Sequence, residues 1–76
     1  MNKLRRKALS DLYAKLEEIK SELESLKDDE QEYYDNMPEG FQQGDKGTKA
    51  EESISNMEDA MTLIEEAMDS ISTAQE

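Results

Sequence analysis

The chain has 76 residues, which is enough for one small domain, and we take residues 1–76 as that domain. It contains no cysteine and no histidine, so a disulfide framework, thiolate chemistry and the commonest general base and metal ligand are excluded. The net charge is −11, spread as +4 over residues 1–16, −7 over 17–35, −1 over 36–47 and −7 over 48–76. Such a charge repels nucleic acid and anionic membranes and attracts basic surfaces.

The first half of the chain carries a heptad of apolar residues with alternating steps of three and four. Its members are Leu9, Leu12, Leu16, Ile19, Leu23 and Leu26. This spacing places them along one stripe of a helix, which we predict at about residues 3–35. The pairs Asp11–Lys15, Glu17–Lys20 and Glu24–Lys27 are expected to support that helix. The helix should end before Pro38, because the residue that precedes a proline is pushed out of the helical region.

Residues 36–47 contain the only proline and all three glycines, and they are predicted to form a loop. Thr48 and Glu51 have the spacing of a capping box, which predicts a second helix over about residues 48–74. This helix has its own apolar heptad, formed by Ala50, Ile54, Met57, Met61, Ile64, Met68 and Ile71.

Two heptad stripes joined by a short loop predict an all-α fold, an antiparallel two-helix coiled-coil hairpin. The second helix also carries a flanking row of Ala60, Ala67 and Ala74, with Leu63 nearby. A two-helix hairpin needs only one stripe per helix. The surplus apolar surface therefore predicts a homodimer that forms a four-helix bundle.

Acidic residues recur in pairs every seven residues on the second helix and cluster at the end of the first. The pairs are Glu51/Glu52, Glu58/Asp59 and Glu65/Glu66, and the cluster is Asp28, Asp29, Glu30, Glu32 and Asp35. One interpretation is an array of carboxylates that imitates the phosphates of DNA and binds a basic groove. The other is a solvated face that keeps a small coiled coil soluble.

The cluster at the end of the first helix opposes the helix dipole, which favours bases at that end. Three aromatic residues, Tyr33, Tyr34 and Phe41, lie near these acids together with Met37. They either close the core where the heptads end or form a binding hot spot. We include both the acids and the aromatic residues among the candidate partner-binding residues.

No catalytic, cofactor or metal site is predicted. The serines have no histidine or suitably placed lysine to activate them, and no phosphate-binding loop is present. A calcium loop starting at Asp35 fails because Met37 and Lys46 occupy ligand positions. Apolar runs of two or three residues do not predict a membrane span or a signal peptide, so we expect a cytoplasmic protein. The short basic patch at the start does not favour direct binding of nucleic acid.

The chain resembles small acidic helical-hairpin proteins encoded by phages and mobile elements of Gram-positive bacteria. The likeness rests on residues 2–7 (Asn-Lys-Leu-Arg-Arg-Lys), on residues 29–39 around the turn, and on the acidic heptads that close the chain. Small acidic phage proteins are often inhibitors of host nucleic-acid machinery, including anti-restriction and anti-CRISPR proteins. The resemblance implies the cytoplasm of a host cell as the site of action.

Together these patterns predict an acidic binding protein, an inhibitor that blocks the basic nucleic-acid-binding surface of a host defence or nucleic-acid-handling protein. Its partner would be a protein with a basic surface. Two alternatives remain open: a structural or adaptor coiled coil that acts through self-association, and an antitoxin-like neutraliser of a basic toxin.

Overall fold

The computed structural model describes residues 1–76 and contains three helices and no strand. The helices are α1 (Lys3–Asp35), α2 (Glu39–Gln42) and α3 (Asp45–Ala74). The two long helices form an extended hairpin, with Cα extents of 58 × 15 × 12 Å. Its radius of gyration is 17.2 Å, whereas a globular chain of this length would have about 11 Å. The all-α class predicted from the heptads is confirmed, with 88% of the chain helical.

Helix α1 begins and ends at asparagine residues that satisfy free backbone groups. The Asn2 Oδ1 accepts a hydrogen bond from the Arg5 backbone N–H at 2.8 Å, as expected of an N-cap. At the other end, the Asn36 N–H donates to the Glu32 carbonyl at 3.0 Å. The first turn has no acid and the last turn no base, so the charges of α1 oppose its dipole at both ends.

The hairpin tip, residues 36–44, contains helical structure where the sequence predicted only a loop. The predicted loop 36–47 contains α2, and α3 begins at Asp45, three residues before the position expected from the sequence. The predicted capping box is wrong, because Gly44 is the N-cap and the Thr48 Oγ1 donates to the Gly44 carbonyl at 3.1 Å. Hydroxyls commonly make this bond to the carbonyl four residues back within a helix.

The hydrophobic core is small. Only four residues are buried, and all lie on α3: Gly47, Ala50, Ile54 and Met68. The accessible surface is 5760 Å², whereas a globular monomer of this mass would expose about 4,700 Å². The hairpin therefore exposes about 1,000 Å² more surface than a globular chain of its size.

The predicted seam of α1 is only half correct. Leu9, Leu16 and Leu23 are half-buried against α3, but the row of Leu12, Ile19, Leu26 and Tyr33 is 48%, 49%, 59% and 51% exposed. The half-buried residues that replace it are Tyr13, Lys20, Lys27 and Tyr34. Both rows flank the central leucines at heptad spacing, and the polar row makes the contacts to α3 described below. The helical pairs expected of the lysines do not form: Lys20 binds Glu65, Lys27 binds Asp28, and Asp11 pairs with Lys7.

Candidate binding surfaces

The two sides of the hairpin carry different chemistry. On one side, which we call the acidic side, the row of Tyr13, Lys20, Lys27 and Tyr34 meets the row of Glu51, Glu58 and Glu65 on α3. On the other, the apolar side, a groove contains Tyr33 of α1 and Ser53 of α3 together with Ala50. Four of the predicted binding residues belong to the acidic side: Tyr34, Glu51, Glu58 and Glu65.

Tyr34 joins α1 to both other helices. Its hydroxyl donates a hydrogen bond to the Glu51 carboxylate, and its carbonyl accepts one from the Gln42 Nε2 at 3.0 Å. The hydrogen bond to Glu51 raises the pKa of the Tyr34 hydroxyl above its usual value, with further increases from desolvation and from the negative charges of Glu51 and Asp35. Glu51, predicted to bind a partner, therefore also makes a contact within the hairpin.

We expect this pKa shift to be visible in an alkaline titration. A tyrosine whose folded pKa is raised holds its proton longer when folded, so its contribution to stability is lost as pH rises through and above 10. Tyrosinate absorbance near 295 nm should show a late component that Tyr34→Phe removes and Tyr33→Phe retains. Loss of the late component in the Tyr33→Phe variant instead would contradict the Tyr34–Glu51 contact.

Lys20 makes the one ion pair that crosses between the long helices. Its Nζ lies 2.7 Å from the Glu65 Oε1, with side chains 30% and 53% exposed. The hydrogen bond to Glu65 raises the pKa of Lys20, desolvation opposes it, and the charges of Glu65, Glu24 and Glu17 add to the increase. An exposed pair of this kind contributes little stability. It is one of two side-chain contacts that join this row of α1 to α3.

The rest of the acidic ladder splits into two rows. Glu58 lines a groove with Gln31, Tyr34 and Glu51. Glu52, Asp59 and Glu66 lie on the outer face of α3, are exposed, and take part in none of the three ion pairs. These three carboxylates, which we call the outer acidic row, are exposed and have no partner within the hairpin.

The acidic cluster at the end of α1 is not one continuous patch. Asp28 pairs with Lys27 at 3.3 Å, and Asp35 accepts a hydrogen bond from Gln31 at 3.0 Å. Glu30 is half-buried and shares the groove of the apolar side with Lys46 and Lys49. Asp29 and Glu32 are exposed.

The aromatic residues near the tip do not form the single cluster that their proximity in sequence suggests. Tyr34 and Met37 are half-buried against the hairpin, whereas Tyr33 is 51% and Phe41 58% exposed. Tyr33 belongs to the apolar side and Phe41 to the short helix α2.

The apolar side follows from helical spacing and the groove at its tip end. Tyr33 and Ser53 line that groove together, and residues seven apart share a row on a supercoiled helix. The α1 row is therefore Leu12, Ile19, Leu26 and Tyr33, and it runs beside the α3 row of Ser53, Ala60, Ala67 and Ala74. Leu63, 64% exposed, lies next to the alanines.

Sequence reasoning identified the alanine row but placed the α1 row in the core. One feature of the sequence indicates that not every apolar row of α1 can lie in the core: α1 has a third heptad row. Residues 12, 19, 26 and 33 and residues 13, 20, 27 and 34 both flank the leucines. Only one of the two can face α3, so a surplus apolar row on α1 was visible in the pattern.

No group of acidic side chains is arranged to hold a metal ion. None of the helices combines the length and apolar character needed to cross a bilayer. Comparison with protein families, curated proteins and solved structures found no match to this chain.

Proposed function

We propose that the protein is a non-enzymatic binding protein whose acidic side occupies a basic, nucleic-acid-binding surface of another protein in the cytoplasm. The observation that carries this proposal is the separation of charge between the two sides. The outer acidic row and the row of Glu51, Glu58 and Glu65 both lie on α3. The heptad positions that flank the apolar rows hold three acids, Glu22, Asp29 and Glu30, which two bases, Lys15 and Lys49, partly offset.

The outer acidic row has the charge expected of a surface that binds lysine and arginine side chains. Its carboxylates recur every seven residues, about 10 Å apart along the helix, and no lysine or arginine of the chain neutralises them. DNA carries a charge about every 1.7 Å of its axis, so the row reproduces the sign of the phosphates and their linear order but not their density. It therefore suits a basic groove that tolerates a sparse line of charge.

The likeness to acidic phage hairpins supports a nucleic-acid-handling partner of a host cell. On this proposal the protein acts as a stoichiometric inhibitor that competes with DNA or RNA. The interaction is electrostatic in origin, so it weakens steeply as salt rises.

An affinity capture tests this function directly. The tagged protein is incubated with a nuclease-treated lysate of the source cell, and bound proteins are eluted along a salt series and identified by mass spectrometry. We expect recovery of a protein that handles DNA or RNA, lost as salt rises. Recovery of no protein other than the hairpin itself, or of one retained at high salt, would contradict the proposal.

A second candidate function, that of a structural or adaptor coiled coil acting through self-association, is favoured by the apolar side. Four large side chains of α1 are about half exposed in a row, beside small residues of α3. Soluble monomers rarely leave such a continuous apolar surface open. The four-helix bundle expected from the sequence belongs to this candidate.

A further inference from the structure

We infer that the apolar side is covered by a second copy of the chain, packed antiparallel so that the tip of each hairpin lies against the terminal end of the other. This inference rests on the self-association candidate and is independent of the proposed binding by the acidic side. It names both the occupant of the surface and its direction.

The area of the apolar side reaches the lower end of what a specific dimer requires. The rows span residues 12–33 of α1 and 53–74 of α3, giving a face about 30 Å long and, for two helices, about 20 Å wide. Such a face measures about 600 Å² per copy, or about 1,200 Å² for the pair, where the range for specific interfaces begins.

The apolar rows are self-complementary when one copy is reversed. A two-fold axis perpendicular to the helices, level with a point between residues 22 and 23, places Leu12 opposite Tyr33 of the second copy and Ile19 opposite Leu26 of the second copy. The same axis places Ala60 opposite Ala67 of the second copy. Alanine rows allow two helices to approach closely, while the larger side chains interdigitate on the other edge.

Charge favours the antiparallel direction over a parallel one. Residues 28–46 hold seven acids and Lys46, a net of −6, whereas the opposite end of the hairpin is net +2, from +4 over residues 1–16 against Asp69 and Glu76. A parallel dimer would place the two acidic tips side by side. The ends are 58 Å apart, far beyond the screening length of about 8 Å, so each end responds only to what lies beside it.

In this arrangement, basic side chains on the apolar side come close to acidic side chains of the second copy. Lys15 comes level with Asp29 of the second copy, and Arg5 comes level with Glu39 of the second copy. Asp29, one of the acids near the end of α1, thereby meets a base from another chain. One like-charge contact results, because the two Glu22 side chains meet near the two-fold axis.

Single substitutions test the occupant. We expect a mass of twice 8.7 kDa in sedimentation equilibrium and a melting temperature that rises with protein concentration. Ile19→Glu should produce a monomer, whereas the matched control Leu4→Glu, at a side chain 81% exposed away from the apolar side, should remain a dimer. A wild-type protein that is monomeric at about 100 µM, with a concentration-independent melting temperature, would overturn the inference, and this outcome does not depend on the folding of any variant.

Spin labels test the direction, and the absence of native cysteine makes single-site labelling simple. A label at Glu39→Cys lies at the tip, so two labels should be about 45 Å apart in the antiparallel dimer and less than about 30 Å apart in a parallel one. Glu22→Gln should tighten the antiparallel dimer several-fold, since it removes the like-charge contact. A dimer with a short distance between labels would overturn the antiparallel arrangement while leaving self-association intact. Neither outcome bears on capture of a basic partner by the acidic side.

Discussion

Replacing Gly47 with alanine is expected to lower the melting temperature by about 10 °C or more. A Cβ at this position would lie 2.0 Å from the Gln42 carbonyl oxygen and 2.4 Å from its carbon. These are backbone atoms that cannot rotate away, so α2 must move off α3. Overpacking of this kind costs about 2 kcal/mol or more, and each kcal/mol shifts the melting temperature of a domain this size by about 4–8 °C.

The expected decrease in melting temperature is opposite to the usual effect of this substitution. Glycine to alanine within a helix ordinarily stabilises by about 0.5–1 kcal/mol. Gly40 is the matched control, because a Cβ there meets nothing within 4 Å, and Gly40→Ala should keep or raise the melting temperature. The measurement is thermal unfolding followed by circular dichroism at 222 nm. A Gly47→Ala variant as stable as the wild type would contradict the close packing of the tip.

Reversing the outer acidic row is expected to weaken partner binding at least about tenfold, or about 1.4 kcal/mol. The variant carries Glu52→Lys, Asp59→Lys and Glu66→Lys. These side chains are exposed and unpaired, so their replacement should leave the hairpin helical. Reversal at Glu51 or Glu65 would be less informative, because it would also break the contacts to Tyr34 and Lys20.

A control of equal charge separates position from net charge. Glu17→Lys, Glu18→Lys and Glu24→Lys together make the same change, from −11 to −5, but at exposed, unpaired positions of α1 outside the candidate binding residues. Isothermal titration of the captured partner should show full weakening for the α3 variant and a smaller effect for the α1 variant. Equal weakening by both variants would mean that total charge, and not the outer acidic row, governs binding.

The sequence was sufficient to predict the hairpin because both heptads are regular and glycine and proline occur only between them. The rotation of α1 about its axis was not predictable from hydrophobicity. In the structure the row with Lys20 and Tyr34 faces α3 and bonds to Glu65 and Glu51. The row with Ile19 and Leu26 stays half exposed on the other side. Lys20 and Glu65 are 45 positions apart in the chain, and Tyr34 and Glu51 are 17 apart. The spacing of residues within one helix therefore does not predict these contacts.

The start of α3 was missed for a similar reason. Thr48 and Glu51 satisfy the spacing of a capping box, and that pattern is stronger locally than Gly44 followed by Asp45. Glu51 instead accepts a hydrogen bond from Tyr34, and Gly47 packs against the Gln42 backbone. Tertiary contacts at the tip therefore accompany an earlier start of the helix and give Glu51 a partner within the hairpin.

The same contacts change the interpretation of the acidic ladder. Six carboxylates on α3 were equivalent in the sequence, but the structure gives Glu51 and Glu65 partners within the hairpin and leaves the outer acidic row without any. We therefore propose the outer acidic row as the part of the candidate surface to test first. The apolar side is a separate surface, for which we propose a different role.

The most direct test of the proposed function is competition with nucleic acid for the captured partner. A fluorescently labelled DNA or RNA is bound to that partner, and its anisotropy is followed as the hairpin protein is added at low and moderate salt. We expect the hairpin protein to release the label stoichiometrically, and less efficiently at higher salt. The outer-row variant should not release it. A partner that binds the hairpin while its nucleic acid stays bound would contradict the claim that the acidic side occupies the nucleic-acid surface.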